Sequence, residues 1–401
     1  MAASMFMFGI NEFALRLPSI ILTTLGIWLT FLIAVYFFNK KVAYLAAFFY
    51  SINGLIIALA SGRGATDHID VFFLFFIELA VLFIVLFVQK QKTIYNILAG
   101  ISIGAAILSK WLPALIILPI WLLIVIDSKK FRTKSIVFQF IILVTVCVLV
   151  FLPWQIYIYG AYPMEANWEA GYNLKHIMQA LDGHGEPFYY YIIRIGMNYG
   201  ELIYLPMFWF LLKTLKNIQP NADQPAADKN YKSVALCLWF FIPLLFFSFA
   251  QTKMQAYLLF TSPALFMMIS EFWFMLANYK TKHKPKWLYN LILILLIAAP
   301  VRYTIERTTP FITKNRNPQW VADLKKLNDK KINNGVLFNY DKPIEAMFYT
   351  NLTSYSNIPD KKVINDLIGK NYRIIINDKG NIPDEIKAIN GVMIEYLTTN
   401  N

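Results

Sequence analysis

Residues 71–88 read VFFLFFIELAVLFIVLFV, an almost unbroken apolar run. A helix needs about 20 such residues to cross the hydrocarbon of a bilayer. Further apolar runs occur at 18–38, 42–60, 136–153, roughly 197–212, 233–250, 256–277 and 287–301. The run 95–126 is interrupted by Ser109-Lys110-Trp111-Leu112-Pro113. Proline disfavours helix at the residue before it, so the sequence predicts two short helices meeting near one face there, a re-entrant pair and not a single span. Composition agrees with a membrane chain. Of 401 residues, 58% are hydrophobic and 15% charged, where soluble domains run closer to half and a quarter. That excludes a disordered protein and argues against an ordinary cytosolic enzyme. Cys147 and Cys237 both fall in apolar runs, so neither a disulfide framework nor a zinc ribbon can be built. The start, MAASMFMFGINEFALRLPS, lacks the basic region and cleavage site of a signal peptide.

The net charge of +13 could suit nucleic acid if the basic residues shared one face. Instead they sit in short clusters between apolar runs, which is the pattern of cytoplasmic loops, and no nucleic-acid partner is expected. Lys40-Lys41, Lys90 and Lys92, Lys129 to Lys134, Lys213 to Lys232 and Lys280 to Lys286 fall on one side of the alternation. The opposite loops carry only Arg63, Lys110, Lys175, Arg194 and Lys253. The first set is expected inside the cell; the long loop 154–196 and the C-terminal tail are expected outside. The predicted architecture is an all-α polytopic membrane domain over 1–302, followed by a small soluble α/β domain over 303–401 on the outer side. In that tail, Asn317 reads as the cap of a helix from Pro318 to about Lys331. Strands are read at Gly335–Tyr340, Tyr372–Ile376 and Gly391–Tyr396, with a helix from Asp360 to Leu367 ended by Gly369.

Ionisable groups are costly near a bilayer, so the few present at the outer ends of spans are the functional candidates. In Ser61 to Asp70, the residues Arg63, Asp67, His68 and Asp70 lie between two spans. This is either a hydrated turn whose carboxylates cap the next helix or a ligand-facing acidic turn. Lys110 is either a lysine snorkelling to the interface or an anion contact, with phosphate the obvious anion. The loop 154–196 holds Trp154, Glu165, Trp168, Glu169 and Tyr172, then Gly183-His184-Gly185-Glu186-Pro187 and a run of aromatics. His184 and Glu186 are possible ligands of a divalent metal if a third residue joins them; otherwise the loop is an interfacial aromatic belt. Lys253 and Tyr257 read as an interfacial anchor or as a grip on a lipid phosphate.

In order along the chain stand Asn11 to Ser19, Ala65-Thr66-Asp67, Leu108-Ser109-Lys110, Pro153-Trp154, Gly183 to Tyr190, and Thr252-Lys253 with Tyr257-Leu258-Leu259. This order resembles the GT-C membrane glycosyltransferases of the protein O-mannosyltransferase and aminoarabinose-transferase type, from residue 11 to about 300. The resemblance implies an integral protein of the bacterial inner membrane. Its implied activity moves a sugar from a polyprenyl-phosphate carrier to a protein or glycolipid acceptor outside. It implies a catalytic role for Asp67, with Asp70 the lesser candidate, and places His184 at the family's outer-loop histidine. Lys110, Lys253 and Tyr257 then lie near the carrier phosphate, with Arg63, Trp154 and Glu186 as further substrate contacts. In that family a first span and a large outer loop bearing an acidic catalytic base precede the Leu-Pro-Ser helix. The expectation is therefore of an N-terminally truncated member, inactive as given if that loop is missing. Two other readings stand beside it: a transporter of lipid-linked or small solutes, and a non-catalytic membrane protein that binds a polyprenyl lipid.

Overall fold

The structure is a computed structural model describing residues 1–63, 69–181, 183–218, 230–308 and 318–399. Contacts divide the chain into two compact units, Ser19–Thr309 and a second made of Met1–Pro18 with Pro310–Asn401.

Among the described residues of the chain, seven helices are long and apolar enough to cross a membrane. They are Glu12–Phe37, Ile69–Lys90, Thr93–Lys110, Thr133–Ala161, Tyr231–Phe249, Gln255–Thr281 and Lys286–Thr308. Lys40–Ser51 and Gly54–Ala60, bent by 52° at their junction, make an eighth if they form one span. Asparagines set several starts. Asn39 accepts from Lys41 N and Val42 N at 2.9 and 3.1 Å, and Asn53 accepts from Ile56 N at 3.0 Å. Each satisfies amides that the first helical turn leaves without a partner. The protein is an integral, multi-pass membrane protein.

Helix Ile69–Lys90 is central, with Val71, Phe73, Leu74, Ile77, Val81 and Ile84 all buried. Beside it, Thr93–Lys110 packs on Thr133–Ala161 through Gly100 and Gly104. A Cβ at Gly104 would meet Val150 Cβ at 2.6 Å, so the close approach depends on the missing side chain. Several buried polar groups in the spans are paired, as a medium without water favours. Asn96 donates to Gln139 O and Oε1 at 2.7 and 3.0 Å and accepts from Trp121 Nε1 at 2.8 Å. Thr30 donates to the buried Glu78.

Three expectations are corrected. The run 95–126 is not a pair of short helices: Thr93–Lys110 alone is long enough to span, followed by the shorter apolar helical stretch Leu112–Asp127. The break falls where expected, at Trp111, whose φ of 67° lies in the left-handed region that bulky residues rarely adopt. Residues 154–196 are not a long loop. Helix Thr133–Ala161 continues through Pro153, and Pro163–Met178 and Tyr190–Tyr199 are helices too. The run near 197–212 is divided by Gly200, at φ 96°, before helix Tyr204–Ile218.

The second unit holds a parallel sheet of four strands: β1 Gly335–Phe338, β2 Thr353–Ser354, β3 Arg373–Asn377 and β4 Val392–Glu395, in the order β2-β1-β3-β4. Parallel pairing buries both faces, and the Ile374-Ile375-Ile376 run in β3 is fully buried. Helix Gln319–Asp329 starts one residue after Pro318, and helix Lys361–Gly369 ends at the predicted glycine. Asn317 lies outside the described residues. The two-residue β2 and helices Pro343–Tyr349 and Asp384–Lys387 are additions to the predicted elements. In the same unit Tyr349 OH donates to Glu12 at 2.9 Å, while helix Lys286–Thr308 runs past the boundary expected at 302.

Candidate lipid-phosphate site

Lys110 ends its helix beside the Trp111 turn, which delivers its side chain to the start of helix Ile69–Lys90. There it forms an ion pair with Asp70. The Asp70 side chain is 6% exposed and that of Lys110 20%. The Lys110 ammonium also lies over the Tyr257 ring, 4.5 Å from its centre. A lysine has three donors, so an ammonium fixed by a carboxylate and an aromatic face keeps capacity for an incoming anion.

Below this group opens a cavity of about 420 Å³, within the size range of ligand pockets. Its walls include Pro113, Ile116, Ile242, Phe246 and Phe247, while Lys110, Asn173, His176, Thr252 and Tyr257 give its polar groups. A mostly apolar chamber with a lysine ammonium in its wall suits a ligand with an anionic head and a hydrocarbon tail.

The segment 250–257 links this cavity to residues 179–181 and 184–185. Thr252 Oγ1 donates to Gln179 O at 2.8 Å and accepts from Leu181 N at 3.0 Å. Gly185 and Thr252 form an antiparallel bridge, and Lys253 N donates to His184 O at 3.0 Å. Lys253 is buried, its Nζ donating to Ala250 O at 2.5 Å. Burial lowers the pKa of its ammonium, and the Glu186 carboxylate partly opposes that shift. Tyr191 OH, donating to Met254 O at 3.1 Å, holds the same segment from below.

The predicted residues therefore divide. Lys110 and Tyr257 line the cavity with Asp70 paired to Lys110, while Lys253 N donates to His184 O and the Glu186 carboxylate acts on the Lys253 charge. Arg63 donates to the carbonyl of Arg307. Arg307 in turn donates to Asn198 Oδ1 at 2.8 Å, as Gln255 does at 2.7 Å. Trp154 is 53% exposed on helix Thr133–Ala161, against Tyr157, and is absent from the cavity wall. Asp67 lies outside the described residues. His184 and Glu186 are both exposed, and among the described residues no group of three His, Cys, Asp or Glu could hold a metal. Two exposed donors do not make a metal site. The sequence reading missed Asn173 and His176 on the cavity wall and quoted Thr252 only as part of a motif. The spacing of Trp168, Tyr172 and His176, every fourth residue, was the available signal that this stretch is helical.

Comparison with known proteins fits this arrangement. Residues 1–157 match the family described as dolichyl-phosphate-mannose-protein mannosyltransferase. An undecaprenyl phosphate-alpha-4-amino-4-deoxy-L-arabinose arabinosyl transferase of Pseudomonas fluorescens is 25% identical over 261 residues, 63% of this chain and 43% of that protein. One from Proteus mirabilis is 29% identical over 272 residues, 64% of this chain and 45% of its own. The chain thus spans less than half the length of these curated relatives. ArnT from Cupriavidus metallidurans in the apo state superposes with a TM-score of 0.61 at 14% identity, over 96% of this chain and 82% of that one. Its crystal structure bound to undecaprenyl phosphate gives a TM-score of 0.60 at 14% identity, over 92% and 76%. The fold is therefore the GT-C membrane fold. Within it, the chain is similar to glycosyltransferases of the ArnT and protein O-mannosyltransferase type, and the resemblance drawn from its motifs holds.

Proposed function

We propose that the chain is a membrane glycosyltransferase that moves a pentosyl or hexosyl group from a polyprenyl-phosphate carrier to a protein or glycolipid acceptor. The reaction takes place on the outer side of a bacterial inner membrane, where the C-terminal α/β domain also lies. The observation that carries this reading is Lys110, paired with Asp70 and set over Tyr257 in the wall of the apolar cavity. The carrier phosphate meets Lys110, and its isoprenoid tail lies along Ile116, Ile242 and Phe246.

Attack of an acceptor hydroxyl at the anomeric carbon releases the carrier phosphate. Cationic donors stabilise the charge that develops on it, a role for Lys110 and, from the neighbouring segment, Lys253. Arg63 and Asp70 act on the substrate indirectly: Asp70 orients Lys110, and Arg63 holds the turn before Asp67. Asp67 is the proposed acidic catalytic group. A base in that place contributes about 10²–10⁴-fold. His184 and Glu186 contact the sugar from the outer turn.

The test is reconstitution of the full chain in nanodiscs with undecaprenyl-phosphate-linked aminoarabinose or mannose and bacterial membrane extract as acceptor. Release of undecaprenyl phosphate, abolished in Lys110→Gln, is the expected result. Carrier binding without any donor consumption would favour a non-catalytic lipid-binding protein, and solute flux in proteoliposomes a transporter.

A further inference from the structure

Helix Pro163–Met178 carries two rows of side chains of which only the inner ends, Asn173 and His176, line the cavity. Trp168, Tyr172 and His176 recur every fourth residue and share one face. The Trp168 and Tyr172 rings stack with centres 4.9 Å apart and planes 12° from parallel; Tyr172 and His176 meet edge-on at 4.7 Å. Glu165, Glu169 and Asn173 form the adjoining row at the same spacing, and Asn173 donates to Glu169 at 3.2 Å. Both rows lead inward. Trp168 is 64% exposed, Tyr172, Asn173 and His176 are half-buried, and Asn173 and His176 line the cavity. The rungs rise about 6 Å each, four residues at 1.5 Å.

We propose that this helix is a binding rail for the carbohydrate part of the acceptor, leading it from the outer surface to the carrier phosphate. The proposal rests on the reading of the cavity as the carrier site. Carbohydrate is the chemistry that needs both rows. The C–H faces of a sugar ring lie on aromatic faces, and its hydroxyls need carboxylate and amide partners. An aromatic belt at the membrane interface would use the rings alone. The carboxylates of Glu165 and Glu169 would repel anionic headgroups, which argues against a role in gripping the bilayer.

The full chain is purified in a detergent without sugar headgroups and loaded with undecaprenyl phosphate. Saturation-transfer NMR then probes lactose, N,N′-diacetylchitobiose and a Ser/Thr hexapeptide. At least one disaccharide should receive saturation from the wild type. Trp168→Ala and Tyr172→Ala should each weaken that binding by roughly tenfold, the factor that about 1.4 kcal/mol of ring contact is worth. Trp168→Phe should retain most of it, and Trp287→Ala, which removes an equally exposed indole elsewhere (65%), should leave it unchanged. Undecaprenyl phosphate should bind all variants equally. The rail is refuted if no disaccharide binds the loaded wild type, if only the peptide does, or if Trp168→Ala binds sugar as the wild type does. Loss of undecaprenyl phosphate binding by the wild type would instead overturn the carrier reading beneath it.

Discussion

Replacing Lys110 by Gln tests the phosphate site most sharply. The change keeps a neutral hydrogen-bond donor of similar reach and deletes the charge. In the wild type the ammonium is fixed by Asp70 and sits 4.5 Å above the Tyr257 ring, so little ordering is left to complete when a phosphate arrives. A hydrogen bond to a charged group is worth about 1.5–3 kcal/mol. Its loss should therefore weaken undecaprenyl phosphate binding by roughly 10- to 150-fold. Undecaprenol, which has the tail but no phosphate, should bind wild type and variant alike. Lys110→Gln also deprives the buried Asp70 of its cation, and breaking a buried pair from one side costs about 3–5 kcal/mol at full burial. The 20% exposure of Lys110 reduces that cost. The double variant Asp70→Asn/Lys110→Gln removes it by restoring a neutral pair, and should recover stability without recovering phosphate affinity. Titration of both lipids into detergent-purified protein, followed by native mass spectrometry, reads the two affinities. The reasoning is refuted if a folded Lys110→Gln binds undecaprenyl phosphate with the wild-type Kd, or if the wild type does not prefer it over undecaprenol.

Three further outcomes follow from other parts of the molecule. Gly104→Ala should press its new methyl against Val150, part helices Thr93–Lys110 and Thr133–Ala161, and destabilise the protein by about 1–3 kcal/mol; an unchanged Tm in detergent would contradict the packing. Lys253 has its pKa held below the usual 10.5 by burial, with Glu186 opposing. Between the folded and unfolded values the unfolded chain binds more protons, so wild-type stability rises with pH there. Lys253→Met should then be more stable than wild type near pH 7, by a margin in Tm that shrinks as pH approaches 10.5. In the C-terminal unit, the Lys379 hydrogen bond holds Asp341 below its usual 3.8. Its contribution is present above that value and lost as pH falls through the folded pKa, so hydrogen exchange in β1 should quicken there in wild type but not in Asp341→Asn.

The spans were legible because membrane insertion is decided by composition over about 20 residues, which a linear reading captures. Helix Pro163–Met178 was not, because its Glu, Asn and Gly residues gave it the polarity of a loop while its pattern lay in the fourfold aromatic spacing. Thr133–Ala161 outlasts Pro153 because proline can be accommodated inside a membrane helix, so the proline was a poor stop signal. At the site, Lys110 and Tyr257 were legible as scarce polar groups at the ends of spans. Asp70 was seen as a second acid and not as the partner of Lys110, since forty residues separate the two and only packing brings them together. The bridge between Gly185 and Thr252 is equally non-local. Trp154 shows the converse, since its neighbours in sequence are functional candidates while its own side chain is exposed and does not line the cavity.

The most direct test of lipid-carrier recognition is photo-crosslinking with an undecaprenyl phosphate bearing a diazirine in its tail, followed by peptide mapping. Adducts should fall on Ile116, Ile242 and Phe246 in the wild type, and fade when excess unlabelled undecaprenyl phosphate is added. Adducts confined to outward-facing residues such as Phe138 and Leu149, which are 61% and 64% exposed, and insensitive to that competitor, would contradict it.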